Sequence, residues 1–289
     1  MVTIVEQPCF RTTWDLVRRN PSAYSAAMYK SRLSALALTT LAALALSACG
    51  SDDSGTTDSG ADVVKKGTLT VCSDVPYPPF EDFDKTSDSG FKGFDVDIVN
   101  EVAERLDLEL TIKDSGFDAL QSGQALNAKT CDLAASAMTI TDDRKKNLDF
   151  TDGYYVSKQS LLVPAGSDIK GIGDLDGVKV GVQQGTTGKT YTEENAKGAK
   201  VVTFPSDAEM FQAIKAGQVK ALLQDLPVNL DHAKGGEYEV VETYETDENY
   251  GFAIKKGNTQ LVEDVNEALD AMRTDGTYDE IYNKYFEVE

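Results

Sequence analysis

The sequence predicts an α/β protein of two lobes, each built on a mostly parallel sheet with helices on both faces. Three observations carry that reading. Strand-like and helix-like patterns alternate as βαβαβ over residues 67–136, and a second alternating set fills residues 178–254. Two helical patterns then close the chain, so that the tail returns to the first lobe.

Each element has its own signal. Gly67–Ser73 (GTLTVCS) suits a strand, and Phe94–Leu106 carries Val99, Val102, Ala103 and Leu106 at helical spacing. Leu108–Lys113 alternates as a strand does, Phe117–Leu126 reads as one helix, and Asp132–Ser136 is a short apolar strand. In the second set the strands are Val178–Val182, Lys200–Phe204 and Val219–Leu223. The helices are Thr187–Ala196, Ser206–Ala216 with Ser206 as its cap, and Leu226–Lys234. Gly251–Ile254 is strand-like, and Gln260–Arg273 and Gly276–Phe286 are helical. Crossings near Gln159–Val163 and Asn249–Ile254 form the expected hinge. Lobe 1 is then 64–158 plus 251–289, and lobe 2 is 159–250.

Composition narrows the partners. The 289 residues hold 48 Asp+Glu against 28 Lys+Arg, a formal net charge of -20. A nucleic-acid partner would need a basic face, so none is expected. The single histidine, His232, and the absence of a Cys/His cluster at ligand spacing argue against metal chemistry and against a histidine-based triad.

The N-terminal region points to export. Lys30 and Arg32 precede an uncharged apolar run of 16 residues, Leu33–Ala48. That suits a signal-peptide core and falls short of the about 20 residues of a membrane-spanning helix. Leu46-Ser47-Ala48-Cys49 resembles the lipobox of bacterial lipoproteins, which implies that residues 1–48 are removed and that Cys49 is lipidated. Residues 1–27 are not needed by such a signal, so translation is expected to start at Met28. Residues 49–63 (CGSDDSGTTDSGADV) then read as the anchor and a flexible tether. Among the other cysteines, Cys9 precedes the signal, and Cys72 and Cys131 would face an oxidising exterior, where a disulfide is the natural pairing. Cys72 ends one strand and Cys131 begins another, so their Cα separation decides whether the bond can form.

The stretch GVQQGTTGKT, Gly181–Thr190, looks at first like a phosphate-binding P-loop. Four residues must separate its first glycine from Gly188, which puts Gln183 where glycine is required. What remains is a strand, a Gly/Thr turn and a helix N-terminus, a general cradle for an anion.

Five segments in register give a resemblance. SDVPYPPFE (73–81), GFDVDIVNEVAERL (93–106), AASAMTITDDRKKNLDFTDGYY (134–155), GVQQGTTG (181–188) and DGTYDEIYNKYF (275–286) are similar to the bacterial extracellular solute-binding proteins of family 3. These are the substrate-binding subunits of amino-acid ABC transporters. The resemblance implies the type II periplasmic-binding-protein fold, with a ligand cleft between the lobes and a two-crossing hinge.

It also implies a site. Arg144 and Thr139 would meet a ligand carboxylate, with Thr187 donating from the other lobe and Thr186 beside it among the ligand-binding residues. Asp225 would take the ammonium, together with Ser136 and the Ala137 carbonyl. Tyr77 and Phe117 would wall the side chain, Asp74 would meet a basic or amide group, and Gln183 would border the pocket. The planar fork of arginine suits a carboxylate, and a zwitterion buried with either charge unpaired costs several kcal/mol, about what such burial costs any ion. No matched position beyond Arg144 supplies a cation, so a polar or basic amino acid is expected. The expected role is delivery of that amino acid to a permease by a monomer anchored on the extracytoplasmic face of the cell membrane, with no cofactor and no enzymatic activity. The other readings are a ligand sensor for a membrane receptor and a cyclohexadienyl-type dehydratase using Asp74 or Glu81 as the acid.

Overall fold

A computed structural model of the chain describes residues 54–286. The expected signal region, the start at Met28, Cys9 and the lipidated Cys49 lie outside the described residues. Among those described, no helix is long and apolar enough to cross a membrane.

Two five-stranded sheets organise the fold. The first runs, in spatial order, Glu109–Asp114, Thr68–Ser73, Leu133–Ala134, Ala253–Lys255 and Leu148–Phe150. Its first three strands are parallel and the last two pairings antiparallel. The second runs Lys200–Phe204, Lys179–Gln183, Ala221–Asp225, Tyr155–Pro164 and Tyr238–Tyr250. Again the first three are parallel and the rest antiparallel. The parallel part of each sheet is therefore ordered 2-1-3. Its strand order reverses beside the first strand, and a crevice opens there beyond the carboxyl ends.

Hydrophobic burial fixes the layers. Helix Phe94–Arg105 buries Phe94, Ile98, Val99 and Val102 on one face, where they meet Leu69, Val71 and Leu133 of the first sheet. The C-terminal helices Thr259–Asp275 and Thr277–Phe286 pack on the same core, through Leu261, Val265, Leu269 and the ring of Phe286. Phe286 lies edge-on to Phe94 with centroids 4.9 Å apart. The tail does return to the first lobe. In the second sheet Leu161, Val163, Val180, Val182 and Leu223 fill one face, and Leu162, Met210, Ile214 and Leu222 the other. His232 stacks on Phe211 and sits 3.0 Å from Asp207.

Four expectations change. Gln159–Val163 is no crossing but the buried interior of the ten-residue strand Tyr155–Pro164. It is covered on both faces, so that Gln159, Ser160, Leu161, Leu162 and Val163 are all fully buried and no in-out alternation marks the strand. The chain instead first passes between sheets at residues 151–154, and it returns at 251–252, within the expected Asn249–Ile254. The expected helix Phe117–Leu126 is two short helices, Phe117–Gln121 and Gln124–Asn127, parted at Gly123 with φ 79°. A Cβ on Gly123 would meet Leu148 Cδ2 at 3.1 Å, so the break also lets the strand come close. Strand Tyr238–Tyr250 was not expected, being polar on its exposed side and interrupted by irregular pairing.

The fourth change concerns the tether. Residues 55–63 form a hairpin, Gly55–Thr56 against Asp62–Val63, turned at Gly60. Ala61 is fully buried in the first-lobe core, and the Ser59 hydroxyl donates to Asp264 of the C-terminal helix. Asn258 Nδ2 donates to the Asp62 carbonyl at 2.9 Å. Low apolar content suggested a flexible tract; two small buried side chains and these hydrogen bonds are enough to dock it.

Candidate binding cleft

The residues singled out in the sequence fall at the crevice predicted by strand order. Asp74 follows strand Thr68–Ser73, and Ser136 and Ala137 follow Leu133–Ala134. Gln183 ends strand Lys179–Gln183, and Asp225 ends Ala221–Asp225. Together with Tyr77, Phe117, Thr139, Arg144, Thr186 and Thr187 they line one cavity.

Arg144 belongs to the single turn Arg144–Lys146, yet it is only 6% exposed while Lys145 and Lys146 face solvent. Its Nη1 donates to the Thr139 carbonyl at 2.7 Å, and its Nη2 crosses the cleft to the Gly185 carbonyl at 2.9 Å. The guanidinium carbon lies 5.1 Å from the centre of the Phe117 ring. Burial pushes the guanidinium down to about 10, against the opposing pull of Glu248 and Asp225. Both hydrogen-bond partners are neutral carbonyls, so the positive charge is held in place without being neutralised at short range. Five N–H donors leave Arg144 capacity for an anion.

Asp225 anchors the opposite polarity. It is 8% exposed, and its Oδ2 accepts from the Tyr77 hydroxyl at 2.9 Å while Oδ1 accepts from Gln159 Nε2. Burial first, then the charge of Glu248, pushes its carboxyl up to about 7. A buried carboxylate in that position gains from a cation brought beside it.

Asp74 Oδ2 accepts from Gln183 Nε2 of the second sheet at 2.6 Å. Burial raises its carboxyl to about 6, so this group, for which the sequence offered no sign of tuning, is tuned by its surroundings. Thr186 caps helix Thr187–Asn195, accepting from Lys189 N at 3.1 Å and donating to the Gln183 carbonyl. Thr187, as the first helical residue, has a backbone N–H with no partner in its own helix. The Thr139 N–H also points away from its pairing with Tyr250, because the flanking bonds run Ile140 N to Asn249 O and Gly251 N to Met138 O.

Two expected donors are otherwise engaged. The Thr139 and Thr187 hydroxyls both donate to Glu248 Oε2, at 2.5 and 2.9 Å. Their backbone N–H groups therefore remain as the donors these two residues can offer a ligand. Ser136 Oγ, expected to accept from an ammonium, donates to Glu81 Oε1 at 2.6 Å and accepts from Asp74 N at 3.1 Å. Ala137, at φ 45°, donates its N–H to Asp95 Oδ2 at 2.9 Å. Glu81 and Asp95, both fully buried, fix this loop from behind, and burial raises both carboxyls.

Sequence reasoning missed Glu248 and Gln159, which join the two halves of the site. Gln159 Nε2 donates to Asp225 and, at 3.0 Å, to Glu248 Oε1. Glu248 stands two residues before Tyr250 on the unexpected strand, and Gln159 lies within the stretch read as a crossing. The alternation of buried Tyr244, Glu248 and Tyr250 with exposed neighbours is the signal that was present. Cys72 and Cys131 are joined as a disulfide, with Cα atoms 5.7 Å apart, within the range a disulfide spans. Among the described residues no cluster of three or more His, Cys, Asp or Glu side chains could hold a metal ion.

Comparison with known proteins agrees with this architecture. Residues 69–288 match the family described as bacterial extracellular solute-binding proteins, family 3. The chain is 33% identical over 228 residues to the L-cystine-binding protein TcyJ of Escherichia coli (strain K12), covering 78% of this chain and 84% of that one. It is 38% identical over 207 residues to the ABC transporter glutamine-binding protein GlnH of Bacillus subtilis (strain 168), covering 70% and 75%. Among solved structures, an ancestral arginine-binding protein bound to glutamine aligns with a TM-score of 0.72 at 38% identity, over 76% of this chain and 98% of that chain. The same ancestral protein bound to arginine gives the same TM-score and identity. With mixed α/β lobes, a cleft at the strand ends and a family match over most of its length, the chain belongs to the bacterial extracellular solute-binding proteins, family 3.

Proposed function

We propose that this protein captures a polar or basic amino acid by closure of its two lobes and delivers it to an ABC transporter permease, held at the extracytoplasmic membrane face by a lipid on Cys49. The observation that carries the reading is the pairing of a buried, un-neutralised Arg144 with a buried Asp225 across one cavity. A zwitterion supplies the missing counter-charge to each: its carboxylate to Arg144 and the N–H groups of Thr139 and Thr187, its ammonium to Asp225. Its side chain extends between Tyr77 and Phe117 toward Asp74. Residues 151–154 and 251–252 are the hinge, and contacts made only in the closed form give the ligand its leverage over the lobes.

Relatives named as binding proteins for glutamine and cystine support binding rather than turnover. A dehydratase reading has one specific observation in its favour, the Asp74 carboxyl raised to about 6 inside the cavity. Asp74 is, however, already bonded to Gln183. Isothermal titration of the purified protein against each amino acid tests the proposal. One polar or basic amino acid should bind and be recovered unchanged. No binding from a cooperatively folded protein, or conversion of a cyclohexadienyl acid, would refute it.

A further inference from the structure

Glu248 controls the hydrogens of the two threonines at the arginine end of the cavity. Its Oε2 accepts from Thr139 Oγ1 and Thr187 Oγ1, and its Oε1 from Gln159 Nε2. Thr139 lies in the segment after the third strand of the first sheet, and Thr187 begins a helix on the second. Glu248 reaches both from the outer groove that it lines with Thr139, Arg144 and Thr187. A threonine hydroxyl owns one hydrogen. With that hydrogen given to Glu248, each hydroxyl presents only lone pairs to the cavity, and the pair act there as acceptors.

The charges act in the same direction. Asp74, Asp225 and Glu248 face or flank the cavity, all at most 8% exposed, with Arg144 as the single cation lining it. One unit of negative charge on the ligand is matched by Arg144. A second would meet acceptors and carboxylates on every side, whereas a second positive charge would be attracted by them.

We propose that Glu248 is a specificity-determining residue: by holding the Thr139 and Thr187 hydrogens and adding its own charge, it biases the cleft toward basic amino acids and against acidic ones. This rests on the amino-acid-binding reading above. A role confined to joining the lobes would alter affinity for every amino acid by the same factor. A role in specificity alters affinity according to ligand charge.

The test is isothermal titration of the wild-type protein and E248Q with arginine, glutamine and glutamate, a weak ligand being measured by competition. T187V and the double variant complete a cycle, and circular dichroism confirms that each is folded. In E248Q the affinity for arginine relative to glutamine should fall about fivefold or more, and that for glutamate relative to glutamine should rise. T187V should change affinity less in E248Q than in wild type, since the neutral amide oxygen accepts the Thr187 hydrogen more weakly than the carboxylate does. Equal changes for all three ligands, with additive effects of the two substitutions, would overturn the proposal while leaving amino-acid binding intact. A wild-type protein that binds none of the three would overturn the proposal, and one that binds no amino acid at all would overturn both.

Discussion

The Tyr77 hydroxyl donates to Asp225 Oδ2 at 2.9 Å, joining the loop after the first strand of one sheet to the end of a strand in the other. Gln183 does the same for Asp74 at 2.6 Å, and Arg144 for the Gly185 carbonyl at 2.9 Å. The groups proposed to hold a ligand thus also hold the lobes together. Two of the three contacts end on a carboxylate whose burial is unfavourable until a cation arrives.

Replacing Asp225 by asparagine should separate these two roles. The amide oxygen still accepts from Tyr77, but the charge that meets the ammonium is gone. Ligand affinity should fall by about 2–5 kcal/mol, as for truncation of one side of a buried charge pair. The ligand-free protein should melt at a higher temperature than wild type, because an unneutralised buried carboxylate has been removed. Titration calorimetry and differential scanning calorimetry read the two effects; unchanged affinity would remove Asp225 from the site.

Ligand-free stability should rise as pH falls from 8 to 5. Asp74 at about 6 and Asp225 at about 7 are raised above their unfolded values near 3.8. Between those limits the folded state binds more protons than the unfolded state, so stability is lost as pH rises through the folded values. Thermal midpoints of wild type across this range should show that slope, and in Asp225→Asn it should be shallower. A ligand ammonium needs Asp225 charged, so affinity should move oppositely and weaken as pH falls through about 7, the raised value of Asp225.

The Cys72–Cys131 bond closes a sequence separation of 59 residues in the first lobe. Loop entropy alone assigns it about 4 kcal/mol. The double substitution of both cysteines by alanine should lower the denaturant midpoint, and the slope of the transition should rise as the unfolded chain loses its cross-link. A free-thiol count of two on unfolded, unreduced residues 64–289, which hold only Cys72 and Cys131, would show that the bond does not form in the cell.

Deletion of residues before Val64 should destabilise the protein although it leaves every cleft residue in place. The docked hairpin contributes fully buried Ala61, nearly buried Val63 and the Ser59–Asp264 hydrogen bond. Its loss should cost about 1–3 kcal/mol from apolar area and one charge-assisted hydrogen bond. Chemical denaturation of the truncated and longer forms measures this, and identical midpoints would mean that the hairpin is only adjacent.

What the sequence made legible follows the range of each signal. Local periodicity placed helices such as Phe94–Arg105 and the capped helix after Ser206 to within a residue or two, because side-chain spacing and caps act over one or two turns. The resemblance brought eleven residues to one cavity. It could not give the direction of their hydrogen bonds, since those depend on residues distant in the chain. Thr139 and Thr187 donate to Glu248 across 109 and 61 residues, and Ser136 to Glu81 across 55. Gln159–Val163, inside strand Tyr155–Pro164, reads as a crossing because burial on both faces erases the alternation that marks a half-exposed strand.

The most direct test of the account is one comparison of affinities. Titration should be made with the amino acid that binds and with the same molecule lacking its α-carboxylate, such as arginine and agmatine, against wild type and Arg144→Met. If Arg144 receives the carboxylate, wild type should discriminate between the two by about a hundredfold or more, the worth of a charge-assisted bidentate contact, and the variant should hardly discriminate at all. Equal discrimination by both proteins would contradict the central claim and leave Arg144 as a bridge between the lobes.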